Sequence, residues 1–203
     1  KDFDNNGLIS GGSSYLLAGP DGPITLRNRR GWTPSDASTP NWDATHAIRT
    51  PTGFKVLLTG AAAQSNKFYV WDVNSAGVIT RGSGWKTAAQ SSSLNWEHTF
   101  SKDFDNNGLI SGGSSYLLAG PDGPITLRGT GGWKPSDAST PNWDATHAIR
   151  TPSGFKVLLT GAAARSGSFY VWDTNTAGVI TNSSGWKTAA QSSSLNWEHT
   201  FSK

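Results

Sequence analysis

Phe54-Lys55-Val56-Leu57-Leu58-Thr59, followed by Lys67-Phe68-Tyr69-Val70-Trp71-Asp72, is the stretch on which the fold turns. In the first run Phe54, Val56 and Leu58 alternate with Lys55 and Thr59, the period-2 pattern of a half-buried strand. In the second, Phe68 and Val70 oppose Tyr69 and Trp71, so that strand is expected to be covered on both faces. Four more short runs surround them: 15–17, 24–27, 45–49 and 78–80, each bounded by Gly, Pro, Asn or Ser. One segment, 94–102, reads as a helix, with Ser92 or Ser93 as its N-cap. The expected fold class is all-β and mainly antiparallel, with a short helix before the acidic loop of each repeat.

The whole pattern occurs twice. Lys1-Asp2-Phe3-Asp4-Asn5-Asn6-Gly7 recurs as Lys102-Asp103-Phe104-Asp105-Asn106-Asn107-Gly108, an offset of 101 that never slips. Residues 1–101 and 102–203 are therefore read as two tryptophan-rich copies. Only 12 positions differ between them, mostly within 28–33, 64–67 and 73–82, which read as loop tips. Inside each copy Gly132-Trp133-Lys134 leads to Asn142-Trp143-Asp144, and Gly185-Trp186-Lys187 to Asn196-Trp197-Glu198. That spacing suggests two half-units of about 50 residues per copy, in propeller-like or sandwich-like units.

Composition narrows the function classes. With 35% hydrophobic and 15% charged residues, 24 glycines and 10 prolines, the chain suits a turn-rich globular β protein rather than a disordered one. No cysteine is present, which excludes disulfides, zinc–thiolate sites and a cysteine nucleophile. No run approaches the roughly 18 apolar residues of a spanning helix, so no membrane insertion is expected. Net charge is +3. Its only local cluster, Asn28-Arg29-Arg30, becomes Gly129-Thr130-Gly131 in the second copy. A basic site absent from one copy is not the footprint of a nucleic-acid binder.

The acidic loop carries the metal expectation. Asp103, Asp105 and Asn107 occupy positions 1, 3 and 5 of an EF-hand-like spacing, with Gly108 at the sharp turn of position 6. Asp2, Asp4 and Asn6 repeat the pattern. Converging side-chain oxygens suit Ca²⁺ in a structural role. Position 12 is Ser114 rather than a bidentate glutamate, so a distant group must complete the shell. The competing reading is an Asx-rich turn held by its own hydrogen bonds. The loop at Asp2 has no helix before it, and the helix ending at Ser202-Lys203 has no loop after it. This is the pattern of a piece of a longer array, with neighbouring repeats as partners.

The order Tyr116-Leu117-Leu118, Gly123-Pro124-Ile125-Thr126-Leu127, Gly132-Trp133, Phe155-Lys156-Val157 and Tyr170-Val171-Trp172-Asp173-Thr174-Asn175 then closes on Phe201. Between the copies, Phe100 precedes Asp103-Phe104-Asp105-Asn106-Asn107-Gly108. This resembles the bacterial tryptophan-rich C-terminal domain family first described from cyanobacteria, across essentially all of both copies. The resemblance implies large secreted or surface proteins, tandem arrays and Ca²⁺ loops. Two features depart from it: Asn106-Asn107 stands where the family usually has Gly-Asp, and 138–144 looks inserted; Trp143 and Trp197 read as extra tryptophans.

No nucleophile elbow, zinc-protease pattern or phosphate loop occurs. Asp36, Asp43, Asp72 and Glu97 supply carboxylates, but their spacing pairs none of them across a cleft. His98 beside Glu97 reads as a helix-surface pair. Among the ten tryptophans, Trp71 and Trp172 read as core. Trp32, Trp85, Trp133 and Trp186 follow glycines and read as core or inter-unit packing. Trp42 and Trp143 sit in polar, proline-containing stretches beside Asp43 and Asp144, so they are expected to be exposed. An open indole face stacks on a sugar ring while neighbouring carboxylates bind hydroxyls. The favoured function is therefore a non-catalytic, lectin-like binder of polysaccharide or glycan, using Trp42, Asp43, Trp143 and Asp144, with Trp32 and Trp133. The alternatives are a Ca²⁺-rigidified structural repeat of a surface protein and, third, a glycosidase.

Overall fold

The computed structural model describes residues 2, 5–10 and 12–202. The chain forms two compact units, Lys1–Ser91 and Ser92–Lys203. In unit 1, β1 (Leu8–Ile9), β2 (Leu16–Gly19) and β3 (Gly22–Thr25) form a three-stranded antiparallel sheet. β4 (Trp42–Thr50), β5 (Gly53–Gly60), β6 (Lys67–Asn74) and β7 (Ile79–Gly82) follow as a meander, and β8 (Lys86–Thr87) also pairs with β6. The helix α1 (Ala88–Ser93) follows β8 across the division, and α2 (Trp96–Phe100) opens unit 2.

Unit 2 repeats the same two sheets. β9 (Leu109–Ile110), β10 (Leu117–Gly120) and β11 (Gly123–Thr126) make the smaller one. β12 (Trp143–Thr151), β13 (Gly154–Gly161), β14 (Ser168–Asn175), β15 (Ile180–Ser183) and β16 (Lys187–Thr188) make the larger, before α3 (Ala189–Ser194) and α4 (Trp197–Phe201). The all-β, antiparallel tandem reading therefore holds.

Within each unit the two sheets share one core, the sandwich-like of the two expected arrangements. In unit 1 Tyr15, Leu17 and Leu26 meet Ala47, Phe54, Val56 and Val73. In unit 2 Tyr116, Leu118 and Leu127 meet Ala148, Phe155, Val157, Leu159 and Trp172. The cross-strand register Phe54↔Val73, Val56↔Trp71 and Leu58↔Tyr69 puts the alternating apolar residues of β5 on that core face. The two halves of a copy differ in strand number and order, and the paired tryptophans sit in unlike settings: Trp32 in a loop, Trp42 in a strand, Trp96 in a helix.

The expected 94–102 helix is the shorter α2, and α1 lies upstream of it at residues outside any expected helix. Leu94 and Asn95 separate the two helices, and Asn95 takes a left-handed φ of 57°. Asparagine tolerates that conformation better than other side chains. The N-cap of α2 is therefore Asn95, not Ser92 or Ser93, and no side-chain hydrogen bond caps it.

Candidate functional site

Aromatic rings run across the core face of each large sheet. In unit 2, Trp143 opens β12 and meets Trp172 of β14 edge-on at 5.1 Å and 88°. Tyr170, two residues back on the same face, meets Trp172 at 6.3 Å and Trp186 at 5.3 Å. Trp133, from the loop after β11, closes the other end at 6.4 Å from Trp143 and 6.0 Å from Trp172. The Arg165 guanidinium carbon lies 5.4 Å over the Trp186 ring. Unit 1 has the same run: Trp42–Trp71 at 5.1 Å, Tyr69–Trp71 at 6.5 Å and Tyr69–Trp85 at 5.4 Å. Edge-to-face geometry sets the positive rim of one ring against the negative face of the next, worth about 0.5–1.5 kcal/mol per pair beyond area burial.

This corrects the placement of Trp42 and Trp143. They begin strands rather than sit in loops, and both are half-buried against the core. The local sequence shows only Pro40, Asn41 and Asp43; the apolar surroundings come from Trp71, far along the chain. The rings that reach solvent are Trp32, 43% exposed, and Trp133, 48% exposed. The flanks of those rings differ between copies. Asn28 Oδ1 accepts from the Arg30 and Trp32 amides at 2.8 and 3.0 Å, whereas Gly129 has no side chain to do so.

Asp43 and Asp144 are exposed residues, yet each gives one oxygen to the fold. Tyr15 Oη donates to Asp43 Oδ1 at 2.7 Å and Tyr116 Oη to Asp144 Oδ1 at 2.5 Å. The same hydroxyls accept from Ala44 N and Ala145 N at 3.3 Å. Burial holds Asp43 and Asp144 above the usual carboxylate range against the pull of the tyrosine hydrogen bond, and Asp36 and Asp137 beside them add to the rise. Burial and the adjoining carboxylates likewise raise both tyrosines. So Asp36 does meet Asp43, in hydrogen-bond reach rather than across a cleft. Asp72 is elsewhere, paired with Lys55 at 2.6 Å.

The acidic loop of unit 2 is built onto β12. Asn107 O accepts from Ala148 N at 2.7 Å. A Cβ on Gly108, at φ +82°, would lie 1.9 Å from Ala148 O, so position 6 requires glycine. Asp103 Oδ2 accepts from Gly108 N at 2.8 Å, while Asp103 Oδ1 is buried with no hydrogen-bond partner. Burial, with Asp105 and Glu97 nearby, pushes the Asp103 carboxyl up to about 6 against the Gly108 hydrogen bond. Asp105 accepts from the Asn107 amide and side chain, and Asn107 Oδ1 accepts from Leu109 N at 2.7 Å. Asn107 thus serves the turn. Asp2 and Asn6 repeat these contacts, with Gly7 N at 2.9 Å and Leu8 N at 2.8 Å, and Asp2 Oδ1 is again buried without a partner. Asp4 lies outside the described residues.

Glu97 is the residue that sequence reasoning misplaced. It is 0% exposed, not a helix-surface group. Oε1 accepts from Ser92 Oγ at 2.8 Å and Phe104 N at 3.1 Å. Oε2 accepts from Ser111 N at 3.2 Å and Ser111 Oγ at 3.1 Å. These bonds tie α2 to the loop that follows it, which is why the compact units divide before the helix rather than at the repeat boundary of 101. Donor oxygens of Glu97, Asp103 and Asp105 lie within 4.8 Å of one another. These three residues could offer hard oxygen donors to a cation, with Glu97, rather than Ser114, as the added carboxylate.

Comparison with family models, characterised proteins and solved structures finds no match. Among the described residues, no helix is long and apolar enough to cross a membrane.

Proposed function

We propose that the chain is a non-catalytic, glycan-binding tandem module of a secreted or surface bacterial protein. The observation that supports this most is the open indole of Trp32 and Trp133 in equivalent places, the latter braced edge-on by Trp143 and Trp172. A half-exposed ring held by neighbouring aromatics is a rigid platform for the C–H face of a sugar. Trp143 then acts as a brace for Trp133, and the exposed Asp43 and Asp144 beside Trp42 and Trp143 supply acceptors for hydroxyls. Catalysis is disfavoured because the paired carboxylates share a hydrogen bond, whereas glycosidic cleavage uses carboxyls roughly 5–9.5 Å apart. Kinship with the tryptophan-rich bacterial family belongs to the same proposal.

The test is retention on insoluble polysaccharides. Trp32→Ala/Trp133→Ala is expected to abolish retention with an unchanged far-UV CD spectrum. Undiminished retention of that variant, or no retention of the native chain by any polysaccharide, rejects the reading.

A second reading, a Ca²⁺-rigidified repeat, rests on the buried partnerless Oδ1 of Asp103 beside Glu97. There Ca²⁺ would neutralise the clustered carboxylates and brace α2 against the loop. It predicts a thermal midpoint that rises with millimolar CaCl₂ in the native chain and not in Asp103→Asn/Asp105→Asn.

A further inference from the structure

One charge stands where the core pattern calls for an apolar side chain. Arg49 lies two residues beyond Ala47 on β4 and directly opposite Phe54 on β5, and both of those belong to the core of unit 1. Side chains two apart on a strand, or directly opposite across a strand pair, share one face of the sheet. Arg49 is therefore on the core face, at the end of β4 far from Trp42, where it is exposed. Arg150 repeats the placement in unit 2, beyond Ala148 and opposite Phe155.

The small sheet brings the opposite charge to the same place. Its β2–β3 hairpin turns through Pro20-Asp21, and the β4–β5 hairpin of the large sheet turns through Pro51-Thr52. The fixed φ of proline at the first position of each turn stiffens both tips. Between them lies a cleft of about 370 Å³, lined by Asp21, Ile24, Arg49, Phe54 and Ser75 among others. Unit 2 has the same cleft, about 440 Å³, with Asp122, Arg150 and, in place of the serine, the hydroxyl of Thr176. Spaces of this size take small ligands. Among the described residues, Arg49 and Asp21 have no ion-pair or hydrogen-bond partner, and neither do Arg150 and Asp122. Each cleft thus holds one cation and one anion that do not satisfy each other.

We infer that each unit carries a carboxylate-binding cleft whose ligand is a uronic acid unit of an acidic polysaccharide. The planar guanidinium offers a carboxylate two parallel N–H donors. Across the cleft, the Asp21 carboxylate and the Ser75 hydroxyl are placed for the ring hydroxyls, and Ile24 and Pro23 give the C–H face of the ring an apolar contact. A neutral sugar leaves the guanidinium unmatched. The polymeric source of the ligand rests on the glycan reading proposed above; the cleft itself shares no residue with the open tryptophans.

Titration of the isotope-labelled full chain with sodium galacturonate, galactose and sodium glutamate, followed through the backbone amide shifts, tests this. Galacturonate is expected to move the Gly22, Gly53 and Ser75 amides together with their counterparts Gly123, Gly154 and Thr176. Galactose lacks the charge-assisted bond and should bind at least about tenfold more weakly. Arg49→Gln is expected to silence the unit 1 amides and leave the unit 2 amides responding, which also reports that the chain is folded; Arg150→Gln does the reverse. Trp32→Ala/Trp133→Ala should leave both responses intact, so this inference and the tryptophan reading can fail separately. No response to galacturonate, an Arg49→Gln chain that responds as the native one does, or a response to galactose or glutamate that matches galacturonate would overturn the inference.

Discussion

The hydroxyl of Tyr116 joins the two sheets of unit 2, donating to Asp144 and accepting from Ala145 N. Tyr116→Phe leaves that buried amide without its partner and should cost about 1–3 kcal/mol, read from the denaturant midpoint. Asp144→Asn has the opposite sign. The folded-state pKa of Asp144 is raised, chiefly by burial, so its favourable contribution is present below the unfolded pKa and is lost as pH rises through the folded value. At neutral pH the carboxylate therefore opposes folding. An asparagine keeps an acceptor for Tyr116 and offers Asp137 a donor. Thermal melts should show Asp144→Asn at least as stable as the native chain at pH about 7, with the difference shrinking toward pH about 3. None of this was legible locally. Asp144 sits 28 residues from its tyrosine, and Trp143 reads as exposed until Trp172 is placed against it.

At the scale of elements, alternation was the readable signal. Phe54, Val56 and Leu58 marked β5 because they alternate with Lys55 and Thr59, and the register with β6 bears out that core face. Leu57 on the other face is buried too, so the strand is not half-buried as expected. The break between α1 and α2 was not readable in the same way: α1 lies wholly upstream of the expected 94–102 run, and the left-handed turn at Asn95 that separates the helices leaves no periodic signal. Glu97 looked like a solvent residue because its four donors are two backbone amides and two serine hydroxyls, groups without a pattern. Gly108, by contrast, was called for by the loop spacing. Gly108→Ala combines a positive φ with a Cβ 1.9 Å from Ala148 O and should cost at least about 2 kcal/mol, with the lost amide protection centred on Ala148 in hydrogen exchange.

For the whole molecule, duplication matters more than any single contact. Each unit carries one open tryptophan, and Trp42, Trp71, Trp143 and Trp172 are the same in both copies while residues 28–30 beside the open ring are not. One shallow sugar site binds weakly; two linked sites on a repeating ligand gain about 10²–10⁴ in avidity. Removing a brace should instead damage the fold: Trp172→Ala is expected to cost about 3–5 kcal/mol, seen in the denaturant midpoint, whereas Trp133→Ala, which loses two edge-on pairs, should cost about 1–3 kcal/mol. The most direct measurement is affinity electrophoresis through gels containing soluble polysaccharides, comparing the native chain with Trp32→Ala, Trp133→Ala and the double variant. The account predicts strong retardation of the native chain in at least one polysaccharide, weak retardation of each single variant and none of the double variant. Equal migration of all four proteins in every gel would contradict it.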